Sequence, residues 1–142
     1  MLDGLAILIV EDEQLLAMDL AFAVEDRGGV VVGPVASVAE GIAILAARQT
    51  GCGAQDGPPM LAAVLDANLI DRDVTPLALR LIECGIPFVI HSAIGLPEAL
   101  AASHPDLPLV RKPARPAVVL GALDAAIARA ASQPRQRPAG CA

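Results

Sequence analysis

Aromatic side chains are nearly missing from this sequence: it has no tryptophan and no tyrosine, and its only phenylalanines are Phe22 and Phe88. A core keyed by stacked rings is therefore excluded, and the interior must be packed with Ala, Val, Leu and Ile. Long apolar runs are lacking as well. Although 55% of the residues are hydrophobic, no uninterrupted run approaches the roughly 20 residues that a bilayer span needs. Leu5 to Val10 is short and ends in charges, and no basic region precedes it, so it reads as a buried strand rather than a secretory leader. Cysteine is scarce. Cys52, Cys84 and Cys141 are far apart and odd in number, with no CxxC or His/Cys metal spacing. That pattern speaks for thiols in a reducing, cytoplasmic compartment and against a disulfide framework or a zinc site. Positive charge is in deficit, with ten Lys and Arg against sixteen Asp and Glu, a formal net charge of -6. An acidic chain repels phosphate backbones, so direct nucleic-acid binding is not expected, and neither is a membrane partner.

What is present is a regular alternation. The length of 142 residues suits one domain with a sizeable core. Leu5–Val10 reads as the first strand. From about Glu13 to Arg27, Leu16, Leu20 and Val24 share a helical stripe that stops at Gly28-Gly29. Val30 to Pro34 reads as a second, shorter strand. Ser37 and Glu40 form a capping box for a helix that runs to about Arg48. The Gly- and Pro-rich stretch Thr50 to Pro59 reads as a loop. Met60 to Leu65 is a third strand ending at Asp66. Thr75, as N-cap, and Pro76, in the first turn, open a helix that Gly85 closes. Pro87 to His91 is a fourth strand, Pro97 to Ser103 a short helix, and Leu107 to Val110 a fifth strand. The Ala-rich stretch from Pro116 to Ala131 is a final helix with Val119, Leu123 and Ile127 in register. The domain is thus expected over residues 1–131. The polar, Pro-rich residues 132–142 are expected to form a disordered C-terminal tail. Five strands alternating with five helices predict an α/β domain with a parallel sheet and helices on both faces.

In such a sheet, ligands bind outside the carboxyl ends of the strands. Four of the five predicted strands end on chemistry. Glu11 and Asp12 follow the first, Asp66 and Asn68 the third, Ser92 the fourth and Lys112 the fifth; nothing comparable follows the second. Three carboxylates brought together repel one another and need a cation to stay ionised. Oxygen donors of this kind suit Mg²⁺. With Mg²⁺, an aspartate is a known nucleophile for phosphoryl transfer, a reaction that needs mainly positioning and charge neutralisation. Lys112 then supplies positive charge to one phosphoryl oxygen and the Ser92 hydroxyl a hydrogen bond to another. Each residue also has an ordinary role when taken singly. Acidic residues favour helix starts, Asp66 suits a turn, Ser92 suits a cap, and Lys112 suits a solvated surface. The functional reading rests on their falling together at strand ends.

With these residues in place, the sequence resembles the receiver domain of bacterial two-component response regulators over about Leu5 to Ala131. The matching segments are ILIVEDE, AAVLDANL, PFVIHSA and LVRKP. The resemblance implies a flavodoxin-like, doubly wound sheet of order 2-1-3-4-5. It implies Mg²⁺ held by Glu11, Asp12, Asp66 and the backbone carbonyl of Asn68, with Asp66 as phosphoacceptor and Ser92 and Lys112 completing the site. It also implies a cis Lys112–Pro113 bond. A narrower resemblance, through DANLIDRDVTPLALRLIECGIPFVIHSA and LPLVRKP, is to single-domain receivers of alphaproteobacteria, which are partnered by histidine kinases of the HWE type. In those, a Thr-Gly pair stands where this chain has Ser92-Ala93. Leu109 stands where receivers often carry an aromatic switch residue, and the Thr50–Pro59 loop is longer than usual.

The expected function is that of a stand-alone phosphoacceptor. A histidine kinase or a histidine phosphotransfer protein donates a phosphoryl group to Asp66, and the signal passes on by contact with a downstream protein, or the chain serves as a phosphate sink. It is not expected to be a turnover enzyme. A receiver-like module that binds a partner independently of phosphorylation is the alternative. A hydrolase of the haloacid dehalogenase type fits poorly, because that class has a second aspartate two residues after the nucleophile, where this chain has Asn68.

Overall fold

The computed structural model describes residues 2–49 and 60–132. Among these residues five strands and five helices alternate: β1 (Ala6–Val10), α1 (Gln14–Asp26), β2 (Val30–Val35), α2 (Val38–Gln49), β3 (Met60–Asp66), α3 (Thr75–Glu83), β4 (Phe88–Ser92), α4 (Glu98–Ser103), β5 (Leu109–Arg111) and α5 (Pro116–Ser132). The strands form one sheet of order β2-β1-β3-β4-β5. Every neighbouring pair is parallel. The fold class and strand order expected from the sequence are therefore those observed. The Thr50–Pro59 loop, the tail at 133–142, and Cys52 and Cys141 lie outside the described residues.

The side chains of a strand alternate between the two faces of the sheet, and here both faces are covered. On one side Leu8, Val10, Ala63, Leu65, Phe88 and Ile90 meet Val38 and Leu45 of α2, Leu77, Ala78 and Leu81 of α3, and Leu100 of α4. On the other Ile7, Ile9, Ala62, Val64, Val89 and Val110 meet Leu20 and Val24 of α1 and Val119, Leu120 and Leu123 of α5. This double cover is why β1 reads as an unbroken apolar run: all five of its residues are buried. Each fully buried Leu or Ile contributes on the order of 1.5–3 kcal/mol. With so few rings, aliphatic side chains carry nearly all of that burial.

Local chemistry sets the element ends. The Ser37 hydroxyl accepts from the Glu40 N–H at 3.1 Å and donates to the Glu40 carboxylate at 2.9 Å, so the capping box forms. Gly85 closes α3 with φ +68°. The start of α3 differs from expectation. Thr75 is already helical, and its N–H donates to the Asp73 carboxylate at 2.8 Å. The N-cap position falls on Val74, with no side-chain cap of its own, and Asp73 takes the first helical N–H, while the Thr75 hydroxyl is buried without a hydrogen-bond partner among the described residues. Strand β2 also runs one residue further than expected, to Val35. Its register against β1 shifts between Leu8 and Val10, beside Gly33 at φ +93° and the cis Gly33–Pro34 bond. Proline donates no N–H to a ladder, so it is tolerated here on an edge strand. Strand β5 is Leu109–Arg111, later and shorter than expected, and α5 continues one residue further, through Ser132.

Candidate functional site

Parallel strands all end on the same edge, and that edge gathers the residues singled out above. Glu11 leaves the end of β1, where its N–H is held by the Val35 carbonyl at 2.9 Å. Its carboxylate turns back to accept the Glu13 N–H at 3.1 Å. Asp66 is the last residue of β3 and is 7% exposed, so it forms a floor rather than a rim. Ligand atoms of Glu11, Asp12 and Asp66 all lie within 4.8 Å of one another. Glu11 and Asp66 are buried; Asp12 is exposed.

Lys112 closes the group from the far end of the sequence. Its Nζ lies 3.2 Å from Glu11 Oε1 and 3.4 Å from Asp66 Oδ2. The Lys112 N–H donates to the Ser92 carbonyl at 2.9 Å, and the Lys112–Pro113 bond is cis, as the resemblance implied. Ser92 is buried at the end of β4. Its hydroxyl oxygen accepts the Ile94 N–H at 3.2 Å, leaving the hydroxyl proton available to donate. Asn68 stands on the exposed side, tied to the acceptor by its N–H, 3.4 Å from Asp66 Oδ1.

The electrostatics show a surplus of negative charge. Burial, reinforced by the neighbouring Asp66 carboxylate, pushes the Glu11 carboxyl up to about 7. Burial works against the Lys112 ammonium, but the Asp66 and Glu11 carboxylates outweigh it and hold Lys112 above the usual lysine range. The Lys112 ammonium thus pairs with two of the three clustered carboxylates. Among the described residues the clustered donors are all carboxylate oxygens, a set that fits a hard divalent cation of the Mg²⁺ type.

Two residues of this neighbourhood carry no signal in the sequence. His91 is the register partner of Asp66 and is 1% exposed. Burial, then the Lys112 charge, holds its imidazole below the usual range, and both ring nitrogens lack a hydrogen-bond partner among the described residues. In the sequence it reads only as a strand residue. Asp71, in the loop after β3, reaches the start of α2: its two carboxylate oxygens accept the N–H groups of Val38 at 2.9 Å and Ala39 at 3.1 Å. Its partners are more than thirty residues away, beyond any local motif.

No protein-family model and no curated protein matches the sequence. Solved structures do match. The chain is similar to a response regulator receiver protein from Sinorhizobium medicae WSM419, with TM-score 0.68 and 24% identity over 89% of this chain and 97% of that one. It is similar to a sensor protein from Polaromonas sp. JS666, with TM-score 0.69 and 25% identity over 89% and 98%. It also matches the response regulator PhyR from Brucella abortus, with TM-score 0.66 and 26% identity over 87% of this chain and 48% of that one. The fold is that of the response regulator receiver domain.

Proposed function

We propose that this chain is a phosphoacceptor of two-component signalling, taking a phosphoryl group from a phosphohistidine onto a carboxylate oxygen of Asp66. In that transfer the N–P bond of the donor breaks, an O–P bond to Asp66 forms, and the imidazole leaves with the electron pair. The carrying observation is the Lys112 ammonium seated between Glu11 and Asp66 at the carboxyl edge of the sheet. A buried aspartate beside a lysine and two further carboxylates is poised to attack phosphorus once its charge is offset.

Glu11, Asp12, Asp66 and the Asn68 carbonyl would hold Mg²⁺, which when bound supplies the positive charge that lets an anionic nucleophile meet an anionic phosphoryl group. The protein's own groups do the rest. Lys112 neutralises one phosphoryl oxygen, the Ser92 hydroxyl donates to another, and the buried floor around Asp66 limits access of water. The donor is a histidine kinase, of the HWE type on the sequence resemblance, or a histidine phosphotransfer protein. The output is contact with a downstream protein or draining of phosphate from that donor. On this reading the chain is a cytoplasmic phosphoprotein rather than a turnover enzyme; none of the described helices is long and apolar enough to cross a membrane.

The test is labelling with acetyl phosphate and Mg²⁺. The wild type should gain one phosphoryl group by intact mass and Asp66→Asn none; equal labelling of both would refute the site. One observation favours the alternative, a module that binds its partner without phosphorylation. Leu109 packs against the α2–α3 face of the core, so no ring at that position can swing on phosphorylation. Beryllofluoride with Mg²⁺ separates the two readings, since the alternative predicts no change in amide shifts at Asp66, Ser92 and Lys112.

A further inference from the structure

The loop between β3 and α3 is stapled into one piece. Asn68 and Asp73 form an antiparallel bridge. The Leu69 N–H donates to the Arg72 carbonyl at 3.0 Å, and the Val74 N–H to the Ala67 carbonyl at 2.9 Å. The Asp73 carboxylate accepts the Thr75 N–H, fixing the far end to α3. The near end touches the acceptor, through the Asn68 N–H on Asp66 Oδ1. At the tip, Asp71 grips Val38 and Ala39, donors of the first turn of α2 that the helix itself leaves without partners. Glu40, the next donor, is already held by Ser37. Asp71 is therefore a clamp between two separate parts of the fold, and the clamp and the acceptor belong to the same stapled loop.

We infer that Asp71 couples the chemical state of Asp66 to helix α2, so that α2 reports phosphorylation. The inference rests on the phosphoacceptor reading of Asp66. When Asp66 becomes an acyl phosphate, its carboxylate loses charge and a bulky anion is added beside the Asn68 N–H. Asn68 must move, and the staples prevent the loop from absorbing that motion between its two ends. The displacement passes to the tip, Asp71 withdraws from the Val38 and Ala39 amides, and the first turn of α2 loosens. Two-site coupling of this kind is reciprocal: whatever factor phosphorylation applies to the clamp, loss of the clamp applies to the acceptor.

The experiment is amide hydrogen exchange on the full chain, with and without beryllofluoride and Mg²⁺, for wild type, Asp71→Ala and Asp71→Asn. In the wild type, exchange at Val38 and Ala39 should speed up by about fivefold on adding beryllofluoride, the low end of ordinary coupling. In Asp71→Ala these amides should exchange fast from the start and not respond further, while shifts at Asp66, Ser92 and Lys112 persist. Asp71→Asn, which keeps an acceptor oxygen without the charge, should fall between. A wild-type α2 that ignores beryllofluoride while the acceptor residues respond overturns the coupling. So does an α2 response that survives unchanged in Asp71→Ala. Silence of the acceptor residues themselves in the wild type instead overturns the phosphoacceptor reading.

Discussion

Removing the Lys112 ammonium leaves the Glu11 and Asp66 carboxylates facing one another without a cation between them. Lys112→Ala should therefore slow labelling by acetyl phosphate by about 10²-fold, the usual effect of removing one preorganised charge-stabilising donor, and lower Tm in metal-free buffer. A mass-spectrometric time course and a far-ultraviolet melt read both. Asp71 gives a pH dependence of known sign. Hydrogen bonding from the Val38 N–H, then from Ala39, holds its carboxyl below the ordinary range. A carboxyl that is more acidic folded than unfolded stabilises the fold above its unfolded pKa, near about 4. That contribution disappears as pH falls through the lower folded value. Asp71→Ala should thus melt below the wild type at neutral pH, and the two curves should converge as pH falls below that depressed folded value; a gap that widened on acidification would contradict the clamp. Glu11, Asp66, Ser92 and Lys112 were legible in the sequence because each ends or directly follows a strand, and strand ends share an edge. Asp71 was not, because its partners are set by how one loop folds over a distant helix. Nor was His91, whose burial beside Asp66 depends on register.

The helices and strands were legible where periodicity and punctuation agreed, as in α1 and in the Ser37–Glu40 box of α2. They were less so where a neighbour outcompeted the obvious residue. At α3 the N-cap position falls on Val74 rather than Thr75, and the Asp73 carboxylate, two residues before the first helical N–H, takes that donor. At β2 the shift of register at Gly33 has no signature beyond the Gly-Pro pair itself. Gly41 offers a test of packing between elements. It sits in α2, and a Cβ there would lie 2.7 Å from Leu77 Cδ2 of α3 and 3.5 Å from Val10 Cγ2 of β1. A flexible leucine can yield to one methyl group, but not to a branched side chain. Gly41→Val is expected to cost about 1–3 kcal/mol by overpacking, read as a lower midpoint in urea with an unchanged m-value. A neutral result would mean that α2 stands further from α3 than these contacts describe.

At the scale of the molecule, the clustered carboxylates of Glu11, Asp12 and Asp66 predict a stability that depends on divalent cations. A cation that binds the folded site and not the unfolded chain stabilises by mass action, by about 2.7 kcal/mol at one hundred times its dissociation constant. Tm should rise with MgCl₂, fall back with EDTA, and stop responding in Asp12→Asn; a Tm indifferent to Mg²⁺ would remove the metal from the account. The ion pair that completes the site spans the chain: Lys112 and Glu11 are 101 residues apart. On a ribosome adding about 5–20 residues per second, the acidic pair emerges on the order of ten seconds before its lysine. In the second half of that interval a nascent chain carries Asp66 but not its counter-charge. On the proposed phosphoacceptor reading, competence would thus be withheld until the last strand of the sheet and the lysine after it have been made, and an incomplete copy would draw no phosphate.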